Sequence, residues 1–287
     1  MKYGVIAPYA VGRIEEGAYA ARFARLAEEF GFESIWTVEH VLMNLEYDSV
    51  YPYDPSGRTP FTPQVSQPDP LIWLAFAAAA TSTIRLATGV LNLPQRNPCI
   101  LAKEVASLDR LSGGRVELGI GVGWVKEESD AVGAVWSERG KRANEYIEIM
   151  RALWSNDVSE FHGEYFDFSD VVSLPKPVQT GGVPIVVGGH SKAAAKRAGR
   201  QADGFFPLGV MGDDLERLLD VMREAAAAAG RDPSKIELSM AGTPEPAVAE
   251  YVKAQGADRM IFAALDGDLG NMRKIFEKFR REVMEQL

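Results

Sequence analysis

The sequence predicts an α/β protein, a (β/α)₈ TIM barrel with two insertion regions. Three observations predict it. Eight short runs rich in Val, Ile and aromatic residues alternate with eight longer stretches of helical periodicity. A chain of 287 residues suits one such barrel. No linker divides the chain and its halves are not self-similar, so a single domain over 1–287 is expected. A doubly wound open sheet is the competing architecture.

The predicted strands are Lys2–Ala7, Ser34–Val38, Ile84–Val90, Val116–Ile120, Pro184–Val187, Ala202–Phe206, Ile236–Met240 and Arg259–Ala263. Their continuous apolar character suits strands buried on both faces. Helix Tyr19–Phe30 stops at Gly31. Pro70–Ala80 is nearly all apolar and is expected to pack deeply. Pro98–Leu111 follows Asn97, an N-cap with proline at the first helical position. Arg139–Trp154, Lys192–Arg200, Asp214–Ala229, Glu245–Gln255 and Asn271–Gln286 complete the set.

Two segments break the alternation. Residues 41–68, after the second strand, carry Pro52, Pro55, Pro60, Pro63 and Pro68 with Tyr47, Tyr51 and Tyr53, and a loop of that length is expected to be a lid or a binding loop. Residues 157–181 hold two alternating stretches, Val158–Phe161 and Tyr165–Phe168, around Gly163, which read as a hairpin excursion before the fifth strand.

The charge balance is 31 Lys and Arg against 40 Asp and Glu, a net −9. That argues against nonspecific nucleic-acid binding, which needs a basic face, and against docking on anionic membrane. The single cysteine, Cys99, leaves no internal disulfide and no cysteine-cluster metal site, and no His/Asp/Glu set has metal-ligand spacing. The first residues, MKYGVIAPYAVG, lack a signal-peptide pattern, and the richest apolar run, Leu71–Ala80, is too short to span a bilayer. The expectation is a cytoplasmic protein acting on a small molecule.

In a barrel the site is built at the carboxyl ends of the strands, so the residues following each strand carry the argument. Glu39-His40 follow the second strand. The imidazole can donate to a carbonyl or carry a proton near neutral pH, or it can be a satisfied structural group. Thr88-Gly89-Val90-Leu91-Asn92 follow the third, where a glycine marks a bulge or a close backbone approach and Asn92 offers a donor and an acceptor. Gly119, Gly121 and Gly123 alternate at the end of the fourth, with Val122 between and Trp124 after them. Three alternate glycines remove the side chains from one strand face, where a flat ring could lie with Trp124 as a wall; close strand packing is the other reading. Gly188-Gly189-His190-Ser191 follow the fifth and open a helix, an arrangement that presents N–H groups and a positive dipole end to an anion. Lys192, Lys196, Arg197 and Arg200 add positive charge there or form a solvated helix face. Cys99 at a helix start is either an acidified thiol or a small buried hydrophobe. A phosphorylated flat heterocycle is the ligand that uses these segments together.

These residues resemble the luciferase-like oxidoreductases, in particular the branch dependent on the deazaflavin coenzyme F-420. The matching segments include WTVEH (36–40), TSTIRLATGVLNLPQRNP (81–98), AKEVASLDRLSGGRVELGIGVGWVKEE (102–128) and PIVVGGHSKAAAKRAGRQADGFFP (184–207), and the resemblance runs through about residue 210. It implies a barrel that binds F-420, or alternatively FMN, at its C-terminal face. It also implies a homodimer, and a flavin reductase as partner if FMN is used. By the same resemblance a non-prolyl cis peptide, here Gly89–Val90, lies behind the ring. His40 lies near the reactive edge and Asn92 near the polar edge, and Gly188, Gly189 and the following N–H groups hold the phosphate. One departure stands out. Where the family's sugar-phosphate dehydrogenase has a catalytic glutamate, this chain has Trp124, and Glu127 and Glu128 are expected on the next helical turn, away from the ring. That argues against sugar-phosphate oxidation. The leading expectation is hydride transfer between F-420 and a small substrate, with His40 handling the proton. An FMN-dependent two-component monooxygenase is the alternative, and a non-catalytic flavin-binding protein the third reading.

Overall fold

The computed structural model describes residues 1–9, 11 and 13–287. The apolar runs form β1 (Lys2–Ile6), β2 (Ser34–Thr37), β3 (Arg85–Thr88), β4 (Leu91–Asn92) and β5 (Val116–Gly121). A hairpin, β6 (Ser159–His162) with β7 (Asp167–Val171), precedes β8 (Ile185–Gly188), β9 (Gly204–Phe206), β10 (Glu237–Gly242) and β11 (Arg259–Ala263). Outside the antiparallel hairpin every pairing is parallel, in the order β3-β2-β1-β11-β10-β9-β8-β5-β4. The sheet closes because β3 and β4 both pair with β5, Leu86 opposite Val116 and Leu91 opposite Ile120. The result is an eight-strand parallel barrel, with β3 and β4 as two halves of one staff. The expected single run Ile84–Val90 is interrupted there: the Gly89–Val90 peptide is cis, and pairing resumes at Leu91.

Helices α1 (Gly17–Glu29), α2 (Pro70–Ala80), α3 (Pro98–Ser112), α4 (Lys126–Ala131), α5 (Arg139–Ser155), α6 (Lys192–Gln201), α7 (Gly212–Ala228), α8 (Pro246–Ala254) and α9 (Leu269–Phe279) surround it. Asn97 caps α3 by accepting from the Cys99 and Ile100 N–H groups, and Asp69 caps α2 in the same way. Two expectations are corrected. The last helix ends at Phe279 in a π-helical turn, Arg280–Met284, and does not run on to Gln286. Helix α2 is not buried all round: Leu71, Trp73, Leu74 and Ala77 face inward, while Ile72 and Phe76 are 63% and 52% exposed. No helix among the described residues is long and apolar enough to cross a membrane.

Strand side chains alternate between an outer core beneath the helices and the barrel interior. The interior cluster comprises Trp36, Ala87, Val186, Phe206 and Ile261, one from each of five strands. Trp36 dominates it, with its Nε1 donating to Ser34 Oγ at 2.8 Å. Its bulk is accommodated by glycine. A Cβ on Gly4 would fall 2.7 Å from the indole nitrogen, and one on Gly89 2.9 Å from the ring. A Cβ on Gly119 would lie 1.7 Å from the Thr88 carbonyl oxygen, so any side chain there is excluded.

A charged layer lies under the indole. The Arg259 side chain is 1% exposed, sits 5.2 Å from the Trp36 ring centroid, and binds Glu117 at 2.7 and 3.1 Å and Glu33 at 2.9 and 3.1 Å. Burial alone would lower its pKa, but Glu117, Glu33 and Glu237 outweigh that and raise it. Arg259→Ala removes the fully buried cation that joins those carboxylates, leaving Glu117 and Glu33 with Arg85 and Glu237 with Lys2 at the edge of the layer. It is expected to cost about 3–5 kcal/mol of unfolding free energy, read from the urea midpoint.

Candidate active site

The site is assembled from what leaves the strands at the C-terminal mouth of the barrel. Glu39 and His40 are adjacent where the chain leaves β2, and their side chains have different partners. Glu39 is buried, accepts from the Asn92 N–H at 2.6 Å and from Arg96 Nε at 3.0 Å, and thereby ties β2 to β4. Arg96 also meets Asp69, the cap of α2, at 2.5 Å. Burial pushes the Glu39 carboxyl up, and Arg96 offsets only part of that. Among the described residues His40 is bound on one side only. Its Nδ1 lies 2.9 Å from Glu128 Oε2, and no partner for Nε2 lies among the described residues.

After β5 the chain passes Val122, Gly123 and Trp124 and enters α4. The sequence placed Glu127 and Glu128 on this turn, and both are there. It did not show that their carboxylates reach back across the mouth. Glu128, 1% exposed, accepts from the Val41 and Leu42 N–H groups at 2.6 and 3.3 Å as well as meeting His40. Glu127 accepts from the Asp48 and Ser49 N–H groups at 2.7 and 3.2 Å and from the Ser49 hydroxyl at 2.6 Å. The signal available in the sequence was position: Glu127 and Glu128 fall in the first turn of the helix that directly follows the β5 end.

Residues 41–68 hold no helix or strand. They are held by these carboxylates and by aromatic contacts. Tyr47 and Tyr51 meet Trp124 edge-on at centroid distances of 5.6 and 5.0 Å, and Tyr53 meets His190 at 5.4 Å. His40 meets the other side of this group, 5.8 Å from Trp124. The segment therefore runs from the end of β2, past the end of β5, to the start of α6.

Of the two readings of the alternate glycines, close packing describes Gly119 and Gly121. The interior space beside Gly121 and Gly188 is filled by Val90, whose methyls would lie 2.6 and 2.5 Å from a Cβ at those positions. Beside Gly119 lies the Thr88 carbonyl, and the Thr88 hydroxyl donates to the Gly119 carbonyl at 2.6 Å. The strand face is therefore not bare backbone: half-buried Val90 stands over it. Gly123, at φ +77°, lies next to the Asn92 side-chain amide.

At the start of α6, Gly189 takes φ +117° and donates to the Phe206 carbonyl, and Ser191 caps the helix by accepting from the Ala194 N–H at 3.1 Å. Among the described residues no acceptor meets the N–H groups of His190, Ser191, Lys192 or Ala193. Arg197 does not add to this positive end. It is buried against α5, bonded to Asn144 Oδ1 at 2.7 Å and the Gly140 carbonyl at 2.9 Å, while Lys192, Lys196 and Arg200 stay exposed. The Cys99 thiol is pushed up by burial, as a small packed hydrophobe would be and not an acidified nucleophile.

The hold of Glu127 on residues 48–49 is measurable. Hydrogen bonding from Ser49, reinforced by backbone N–H groups, holds its carboxyl at about 2, below the ordinary 4.5. Its contribution is therefore fully present above pH 4.5 and is lost as pH falls toward 2. At neutral pH, Glu127→Ala is expected to speed amide exchange at Asp48 and Ser49 by about tenfold or more, since each loses its acceptor. Exchange at Val41 and Leu42, held by Glu128, should stay unchanged.

The family model described as luciferase-like monooxygenase matches residues 1–282. An uncharacterized protein of Mycobacterium tuberculosis is 38% identical over 208 residues, 72% of this chain and 71% of that one. The F420-dependent glucose-6-phosphate dehydrogenase of Kineococcus radiotolerans is 34% identical over 223 residues, 76% of this chain and 60% of that one. The FMNH2-dependent dimethylsulfone monooxygenase of Pseudomonas putida is 30% identical over 215 residues, 74% of this chain and 54% of that one. Among solved structures, a monooxygenase from Streptomyces bottropensis superposes with a TM-score of 0.78 at 23% identity over 99% of both chains. An F420-dependent secondary alcohol dehydrogenase superposes with a TM-score of 0.76 at 19% identity over 99% of this chain and 98% of that one. Barrel, mouth and sequence agree, and the chain belongs to the luciferase-like monooxygenase family, whose members among these relatives include F420-dependent and FMNH2-dependent enzymes.

Proposed function

We propose that the protein is an oxidoreductase that transfers a hydride between coenzyme F-420 and a small organic substrate held under residues 41–68. The observation that carries this reading is the pairing of two features on one barrel mouth: the N–H groups of His190–Ala193 and the Nε2 of His40, none of which has a partner among the described residues. The first fits a phosphate, because unpaired N–H groups and the helix dipole both favour an anion. The second fits proton transfer beside a redox ring. Gly188, Gly189, His190 and Ser191 would hold the phosphate, Val90 with Gly89 would back the ring, and Asn92, Gly123 and Trp124 would border it. Glu39, Thr88, Gly121 and Val122 shape the mouth behind these groups. When bound, the deazaflavin would supply the hydride chemistry. The protein's part is to orient the substrate, exclude water with the aromatic segment, and move one proton at His40. Exposed Lys192, Lys196 and Arg200 suit the acidic tail of F-420.

The alternative, an FMN-dependent monooxygenase supplied by a flavin reductase, differs in which cofactor binds. Fluorescence titration of the purified protein with F-420 and with FMN decides. The expected result is F-420 at least tenfold tighter, with His40→Ala retaining affinity within about tenfold while turnover falls about 10²-fold or more. Tighter FMN binding would favour the monooxygenase. Binding of neither below about 1 mM would end the phosphate-cradle reading.

The same reading includes a homodimer, with the outer face of α2 as its contact. Ile72, Ala75, Phe76 and Ala79 follow the i, i+3, i+4, i+7 spacing, and all four are exposed and apolar. A second copy of the chain would bury that stripe in an isologous contact. Phe76→Glu is expected to turn the wild-type dimer into a monomer in sedimentation analysis.

A further inference from the structure

We propose that Glu128 is the positioning residue for His40: it fixes the imidazole in the Nδ1–H tautomer, leaving Nε2 as the atom that exchanges the proton with substrate. The proposal rests on the hydride-transfer reading for its chemistry, and on geometry alone for the tautomer.

The geometry has three parts. Glu128 Oε2 is 2.9 Å from His40 Nδ1. Glu128 Oε1 is separately engaged by the Val41 and Leu42 N–H groups, so the carboxylate cannot swing away without freeing both. The carboxylate is 1% exposed, so water does not compete for it. A buried carboxylate accepts only, so the nitrogen facing it carries the hydrogen in the neutral ring. Trp124, edge-on to the imidazole at 5.8 Å, packs beside it.

The chemistry follows with atoms balanced. With a deazaflavin bound to accept a hydride from a substrate carbon bearing an O–H or N–H, the heteroatom's proton would pass to Nε2. The ring becomes imidazolium, its charge neutralised by Glu128 through the Nδ1–H bond. In the reverse direction Nε2–H returns the proton as the hydride reaches carbon. An unengaged imidazole would split between tautomers, and one of them has no acceptor at Nε2.

Glu128→Gln separates the two duties of the side chain. The amide oxygen can still accept from Val41 and Leu42, while the amide nitrogen turned to Nδ1 is a donor and favours the Nε2–H tautomer. Glu128→Asp keeps the acceptor. The experiment is ¹⁵N NMR of the imidazoles in the full-length protein at about pH 8.5, roughly two units above the ordinary histidine pKa. Only His40, His162 and His190 must be told apart, by replacing each in turn. The expected result is His40 wholly Nδ1–H in the wild type and in Glu128→Asp, and shifted to Nε2–H in Glu128→Gln. In the loaded enzyme, Glu128→Gln should lower kcat about 10²-fold with KM within about threefold, and Glu128→Asp should recover most of that. A wild-type His40 in the Nε2–H form, or one unchanged in Glu128→Gln, overturns the proposal. If Glu128→Gln does not fold, the wild-type and Glu128→Asp spectra decide alone. Loss of F-420 binding with the tautomer result intact would sink the cofactor assignment and spare the positioning role.

Discussion

One indole constrains the architecture. Trp36 fills the middle of the barrel, and a barrel interior is packed to solid density, so every strand that faces it must give way. Gly4 and Gly89 do so directly, while at Gly119 the close approach of the Thr88 carbonyl excludes a side chain. Beneath the ring, Arg259 spans the interior and gathers carboxylates from the ends of other strands, so the floor is a paired polar layer without an apolar gap. Above it, Val90 leans into the spaces left by Gly121 and Gly188. The mouth begins where that stack ends.

The separation of Glu39 from His40 organises the mouth. Two adjacent titratable residues meet opposite conditions. Glu39 is satisfied by Arg96 and a backbone N–H, and serves to hold β4 against β2. His40 has a ring nitrogen with no partner among the described residues. Electrostatic work at the mouth is thus split between groups that fix the frame and one that can exchange a proton.

The barrel was legible in the sequence because strand runs and helix periodicities are local, and each strand and each long helix lies within two or three residues of its expected position, apart from the early end of α9. The positions of the rim residues were legible for the same reason, since each one ends a strand or follows it. What escaped was long-range. Glu128 lies 88 positions from His40, and Glu127 78 from Ser49, so no pattern within one element reports their contacts. The glycines of β5 were visible, but the neighbour that needs their space, Val90, comes from another strand. Arg197 read as surface charge because its partners, Gly140 and Asn144, lie on a different helix. The apolar composition of α2 concealed that only one face meets the core.

The two neighbouring glutamates of α4 differ in depth, and this gives the overlying segment a built-in order of release. Glu127 stands at the rim, where water can replace its bonds, while Glu128 is sealed. Local opening draws on the less protected contacts first. The span around Asp48 and Ser49 can therefore peel back while Val41, Leu42 and the imidazole keep their places. Opening at that edge therefore leaves the Glu128–His40 contact as it is, so the two ends of the segment are held independently.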